Sequence, residues 1–337
     1  MKKTPSMRQY VLSSARVVGL LLMAAGLLGQ VHAQTASWKP EKNVEIVVGT
    51  SPGGGQDTSA RLVHKLIQDR QLLEVASAVV NKPGGGTAIG LAYLNQHAGD
   101  PHYVMLLTVP LVTNYIRGLS EISYADVSPL AVLFEEYIVA AVAANSPIKN
   151  GKELLDRLKK DPASLSIGIA SVGAGGHLAV ALAAKAIGAD VKKLKTVSFK
   201  SAGDAITALL GGHIDAISAT TAAPVRLREA GKARILAIAS PRRLGGKLAD
   251  IPTWREQGAG VVFSNWRGMV GPRGLTTAQI AYWEGVFAKV AASNEFKRDV
   301  EKNQWVSNVL KSDEMRRFLK EQHDELKVVL ADLGMAQ

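Results

Sequence analysis

The chain of 337 residues contains no cysteine. That excludes disulfides, thiolate metal sites, a cysteine nucleophile and a lipid-modified N-terminal cysteine. Aromatic residues make up only 5%. Basic residues are scattered among acids rather than gathered in a block, so the sequence lacks the usual footprint of a nucleic-acid binder. Beyond the first thirty-three residues no apolar run approaches the roughly 20 residues needed to span a bilayer. The seven histidines show neither H-x-x-x-H nor H-E-x-x-H spacing, so no two of them share a helix face as metal ligands. No metal and no cofactor is expected.

What is present is a 47% hydrophobic chain with a formal charge of +11, long enough for two domains with cores of their own. Lys2, Lys3, Arg8 and Arg16 precede any acid, and the rest of the chain carries +7. Val17 to Leu28 follows as an apolar stretch, and Val31-His32-Ala33 reads as a small-residue cleavage site. This is the pattern of a secretory signal peptide over residues 1–33, cleaved after Ala33. The apolar stretch is short for a membrane anchor, and Gly19 and Gly26 interrupt it. A soluble, exported protein is expected, with a basic balance that suits an acidic surface or anionic small molecules and, less well, nucleic acid.

Two glycine loops organise the first half. Thr50 to Gly55 (TSPGGG) follows the apolar run Val44 to Val48, and Lys82 to Gly86 (KPGGG) follows Ala78 to Val80. A helical pattern succeeds each: Asp57 to Asp69 with Asp57 as its N-cap, and Thr87 to Gln96. Tyr103 to Leu107 reads as a third strand, ending at Thr108. Consecutive glycines leave N–H groups free to turn toward a ligand, and at a helix start those groups favour an anion. Loops on successive βα units meet at the carboxyl edge of a parallel sheet, where open α/β folds bind ligands. Nucleotide fingerprints fail: Gly55 is followed by Gln56 and Asp57 rather than a Lys-Ser/Thr pair, and the G-x-G-x-x-G spacing is not met.

Tyr137 to Ala143 reads as the first crossing between domains. Lys152 to Lys160, Leu178 to Ile187, Ala202 to Leu210 and Ala223 to Ala230 read as helices. They alternate with strands at Ser166 to Ala170, Lys195 to Phe199, Ile214 to Ser218 (with Asp215 inside it) and Ile235 to Ala239, so a second parallel-type sheet is expected. A third glycine loop, Ser171 to His177, opens the helix from Leu178. Ser171 and His177 invite a hydrolase reading, but no glycine stands two places before the serine and no motif supplies an orienting acid. His177 serves equally well as a hydrogen-bond donor or as a helix cap. Asn265 to Pro272 reads as a strand returning to the first domain. Trp266 within it either faces the cleft or packs beneath it, the commoner fate. Two amphipathic helices, Thr277 to Ser293 and Ser312 to Asp332, are expected to complete the chain.

The succession SPGGGQD, NKPGGGTAIG, YVMLLT, SVGAGGH, FKSAGDAITALLGGHIDA, LAIASPRR, DIPTWREQG and WRGMVGP resembles the periplasmic solute-binding proteins of tripartite tricarboxylate transporters, the Bug family, over nearly the whole mature chain. The resemblance implies an α/β, two-domain Venus-flytrap (type II-like periplasmic-binding-protein) fold, each domain a mainly parallel sheet flanked by helices. Its first domain would comprise residues 34–142 and 246–337, and its second 143–245. It further implies a carboxylate receptor that is no enzyme, weighed against two alternatives: a periplasmic sensor presenting its ligand to a signalling receptor, and a Ser/His hydrolase. The implied partners are a small anionic carboxylate and the transporter's membrane subunits, with no nucleic acid, the receptor itself a monomer. The matching site positions are Ser51, Gly53, Gly54, Gly55 and Asp57 in the first loop, and Asn81, Gly84, Gly85, Gly86 and Thr87 in the second. Thr108 joins them, as do Ser171, Gly173, Gly175, Gly176 and His177 across the cleft. Asp215 is implied to be structural. After it this chain reads Ser218-Ala219-Thr220-Thr221, where relatives usually carry an acid or amide; Thr220 is there a candidate for the distal end of the ligand.

Overall fold

The computed structural model describes residues 38–199 and 202–337; the leader expected over residues 1–33 lies outside them. Three parallel strands begin the fold. Val44–Val48 (β1) lies between Ser77–Asn81 (β2) and Tyr103–Leu107 (β3). The crossovers are the helices Gly55–Asp69 (α1) and Ala88–Gln96 (α2). Alternation of side chains along β1 splits its residues between two cores. Val44, Ile46 and Val48 face α1, with Val63, Leu66 and Ile67, while Val47 faces Leu91, Leu94 and Met105 on the opposite side.

After the short helix Pro110–Ile116 (α3), the chain enters a 17-residue strand, Val127–Ala143 (β4). This strand belongs to both sheets. Val127 to Tyr137 pairs antiparallel with Ser264–Pro272 (β9), which itself pairs antiparallel with β3. Ile138 to Ala143 pairs with Ala216–Thr220 (β7) and Ala233–Ile238 (β8). Register shifts at Pro129/Ala131, Val132/Phe134 and Ala140/Ala141 are bulges that bend the strand as it changes partners. The second sheet continues through Ile167–Ile169 (β5) to Thr196–Ser198 (β6), parallel to each other and to β7. Its helices are Gly151–Lys160 (α4), Gly175–Ala186 (α5), Ala202–Leu210 (α6) and Ala222–Glu229 (α7). The βα units are thus parallel as expected, and every antiparallel pair involves β4 or β9.

Several details differ from the sequence reading. Helix α5 starts at Gly175 rather than Leu178 and takes Gly175, Gly176 and His177 into its first turn, and helix α3 is absent from that reading. Helix α1 starts at Gly55 rather than Asp57, with Gly54 as its extended N-cap; Asp57 sits in the first turn, where its carboxylate accepts from the N–H of Gly53. Asp215 precedes β7 instead of lying in it, and its carboxylate accepts from the N–H and hydroxyl of Ser166, 2.7 and 2.5 Å away. Strand β4 runs ten residues farther back than the crossing at Tyr137. Finally, the C-terminal region holds three helices and a strand, not two helices alone: Thr277–Ala292 (α8), Asn294–Lys302 (α9), Val306–Lys311 (β10) and Ser312–Asp332 (α10). Ser293 ends α8 in an extended conformation and caps α9, its hydroxyl accepting from the N–H of Phe296. Strand β10 pairs with β4 and alternates half-buried and exposed residues, as an edge strand does. Trp266 is fully buried, its ring edge-on to Phe318, so packing beneath the site is its role. Among the described residues no helix is long and apolar enough to cross a membrane.

Candidate functional site

The first and third glycine loops lie beside the stretch where β4 passes from one sheet to the other: Gly55 stands next to Arg267, the partner of Glu136, and Gly175 next to Ile138 and Asn265. The link between the two parallel loops is a carboxylate. Asp57 is buried in the first turn of α1. Its Oδ2 accepts from the N–H of Gly53 at 2.8 Å and from Arg61 Nε at 2.9 Å, and its Oδ1 accepts from Asn81 Nδ2 at 2.9 Å. Asn81 Nδ2 also donates to the carbonyl of Thr50 at 2.9 Å. Both side chains are therefore engaged in shaping the first loop and tying it to the end of β2. In the second loop, Gly84, Gly85 and Gly86 all have positive φ, and Thr87 follows at +87°, a conformation strained for a β-branched residue. Asn114 on α3 holds this loop by donating to the carbonyl of Gly86 at 2.7 Å. Gly49 is obligatory beside it, since a Cβ there would come within 2.7 Å of Thr87 Cβ.

Burial pushes the Asp57 carboxyl upward, but Arg61, the Gly53 N–H and Asn81 outweigh it and hold the group below the usual carboxylate range. A folded value below the unfolded one stabilises the fold fully above the ordinary carboxylate range, and that stability is lost as pH falls through the depressed value. Asp57→Asn should therefore cost about 1–3 kcal/mol near neutrality and progressively less as pH falls below the ordinary carboxylate range. Urea denaturation of both proteins at pH 7 and pH 3 checks this; an equal difference at the two pH values would contradict it.

The third loop approaches from the second sheet. Gly176 lies so close to β7 that a Cβ would sit 2.3 Å from the carbonyl oxygen of Ser218, and a Cβ on Gly175 would meet Asn265 at 3.4 Å. Asn265, at the start of β9, accepts in turn from the hydroxyl of Thr108 at the end of β3. The expected residues Thr108 and Gly175 thus converge on one side chain. Arg117, just after α3, spans to the third loop and donates to the carbonyl of Val172 at 2.7 Å. His177 Nδ1 accepts from the N–H of Gly173 at 3.3 Å, so the ring holds the loop that precedes it. Burial, with the Arg117 cation adding to it, lowers the His177 pKa to about 4, so the ring is neutral near pH 7. Ser171 Oγ faces its neighbour's carbonyl, that of Val172, at 3.5 Å. The two residues of the hydrolase reading thus have separate partners.

Helix starts here are left open. The N-caps Gly54, Thr87 and Ala174 of α1, α2 and α5 make no side-chain capping bond. Elsewhere Asn150, Thr276 and Ser293 cap α4, α8 and α9 through their side chains, while α3 and α7 also lack such a bond at Val109 and Thr221. Uncapped N–H groups at α1 and α5 carry the positive ends of two helix dipoles. Among the described residues, the buried side-chain polar atoms without a partner are Thr50 Oγ1, Gln56 Oε1, Thr87 Oγ1, Thr113 Oγ1, Trp266 Nε1, and Nε and Nη1 of Arg267, most of them on or next to the glycine loops and β9.

Arg267 and Glu136 were not anticipated. They lie on β9 and β4, each only 3% exposed, with Arg267 Nη2 3.1 Å from Glu136 Oε1. The guanidinium reaches the start of α1, its Nη2 lying 3.2 Å from where a Gly55 Cβ would stand. Burial raises the Glu136 pKa, against the opposing pull of Arg267 and of a hydrogen bond from Thr220. Thr220, the expected distal residue, is thereby joined to the first sheet through Glu136. The signal in the sequence was an acidic pair inside one apolar strand and a single arginine inside another.

A family model described as the tripartite tricarboxylate transporter family receptor matches residues 61–335. BugT of Bordetella pertussis is 26% identical over 264 residues, covering 77% of this chain and 78% of BugT. Among solved structures, the periplasmic binding protein BugD superposes with a TM-score of 0.79 at 24% identity, over 88% of this chain and 99% of that one. Rpa4515 of R. palustris, solved with adipate, gives 0.80 at 22% over 88% and 99%. MatC of Rhodopseudomonas palustris, solved with malate, gives 0.77 at 20% over 86% and 99%. These likenesses establish the two-domain periplasmic-binding fold. With a family model spanning most of its length and relatives of the Bug group, the chain belongs to the tripartite tricarboxylate transporter family of periplasmic solute receptors.

Proposed function

We propose that this protein is an exported receptor that captures a small carboxylate between its two sheets and delivers it to the membrane subunits of a tripartite tricarboxylate-type transporter. The observation that carries the reading is that uncapped helix starts from both sheets, Gly55 and Gly175, lie against neighbouring side chains of β9, Arg267 and Asn265. Such N–H groups favour an anion without needing a charged side chain. The malate and adipate of the related structures fit that chemistry. In this reading the exposed first and second loops, Ser51 to Gly55 and Gly84 to Gly86, receive a carboxylate. Asp57, Asn81 and Asn114 hold those loops in shape. The Ser171 to His177 loop then swings in with its sheet and completes the grip. Closure is driven by contacts that only the closed form makes. No bond is made or broken.

Thermal-shift screening of the mature protein against mono-, di- and tricarboxylates, malate and adipate included, tests the proposal. A ligand at 100 times its Kd should stabilise the fold by about 2.7 kcal/mol. Stabilisation by a nucleotide or a neutral compound, with none by any carboxylate, would overturn it.

A further inference from the structure

Arg267 is a cation placed where the receptor reading needs an anion, and its hydrogen bonding is incomplete. One guanidinium nitrogen, Nη2, is paired with Glu136 at 3.1 Å. Nε and Nη1 are buried with no acceptor. A buried donor left without a partner costs about 1–3 kcal/mol, so a group that accepts from these nitrogens recovers that free energy on arrival. The neighbouring groups already point to what that group is. Nη2 lies beside Gly55, the first residue of the 15-residue helix α1, whose cap Gly54 supplies no side-chain acceptor. A helix dipole and a guanidinium charge therefore lie side by side at Gly55, and both favour a carboxylate. Glu136 pairs with that same nitrogen, Nη2, and so holds the guanidinium beside Gly55. With Nε and Nη1 buried and without acceptors, the charge of Arg267 stays incompletely paired.

We propose that Arg267 is a specificity-determining ligand contact: its guanidinium, oriented by Glu136, receives the carboxylate that docks at the start of α1. The inference rests on the receptor reading and adds a side-chain charge to a site otherwise built from backbone. It also assigns Glu136 a restraining role, since its negative charge opposes the incoming anion.

The two residues give opposite expected results, which a merely structural pair would not. In calorimetric titrations with malate and adipate, Arg267→Gln should weaken binding of whichever binds the unmodified protein by about 10–100-fold, the value of a charge-assisted hydrogen bond. Glu136→Gln preserves shape and removes the competing charge, so it should tighten binding by about 3–10-fold, with a lower Tm of the free protein. The double variant Arg267→Gln/Glu136→Gln leaves no unpaired charge in the core, and carries the test if Arg267→Gln does not fold; it too should bind weakly. Binding by Arg267→Gln or the double variant within three-fold of the unmodified protein, or weakening by Glu136→Gln, would overturn the role of Arg267 and leave the receptor reading standing. An unmodified protein that binds neither these two nor any other carboxylate would overturn the receptor reading, and this inference with it.

Discussion

Glu136→Ala should destabilise the fold by about 3–5 kcal/mol. The carboxylate and Arg267 are each 3% exposed, so removing one strands the other's full charge away from water. The loss falls at the point where β4 leaves β9 for β7, with Glu136 opposite Asn265 and Ile138 opposite Thr220. Local unfolding there would separate the two sheets as well as loosen them. The pair itself need not be a net stabiliser, because taking two charges out of water offsets most of their attraction. Replacing both together, as Glu136→Leu/Arg267→Met, should therefore recover most of what Glu136→Ala loses. Denaturant unfolding of the three proteins measures this. A loss under about 1 kcal/mol for Glu136→Ala would mean that water reaches the pair.

Gly176→Ala should be the most damaging single methyl group in the binding region. The added carbon would meet a backbone carbonyl, that of Ser218, at 2.3 Å. A backbone contact of that kind is not relieved by a rotamer change. Helix α5 must shift off β7, and Gly175 and His177 shift with it. Overpacking of this type costs about 1–3 kcal/mol, and displacing the third loop should weaken carboxylate binding at least about ten-fold. Gly285 supplies the control. It sits within α8, and an added Cβ there would meet nothing within 4 Å, so Gly285→Ala should be stabilising by about 0.5–1 kcal/mol with binding unchanged. Equal behaviour of the two variants in thermal unfolding and titration would contradict the close approach of α5 to β7.

The loops were legible because their signal is local. Three glycines between an apolar strand and a helical pattern require little of the rest of the chain, and both PGGG segments open helices as expected. What stayed hidden depended on partners far away in sequence. Glu135 and Glu136 interrupt the apolar pattern of β4 and concealed its first half. In the fold Glu135 accepts from Asn308 at 2.6 Å, and Glu136 pairs with Arg267. Strand β10 (VSNVLK) shows no two-residue alternation of apolar and polar residues, and its alternating burial arises from pairing with β4. Asp57 was legible as a helix-start residue but not as the brace across two loops, since that role needs Gly53 and Asn81 in space. Arg267 reads in sequence as one charge in a returning strand. Only the register of Phe134 opposite Arg267 brings it beside Glu136 and under the first loop.

The central claim is that backbone N–H groups at the glycine loops, drawn from both sheets, hold a carboxylate. The most direct measurement is an amide-resolved NMR titration of the uniformly 15N-labelled mature protein with the carboxylate that stabilises it most. The largest shift changes should fall on Gly53 to Gly55, Gly84 to Gly86, and Gly175 and Gly176, saturating together at one stoichiometric site. Saturable changes confined to other residues, with these glycine amides unmoved, would contradict the account.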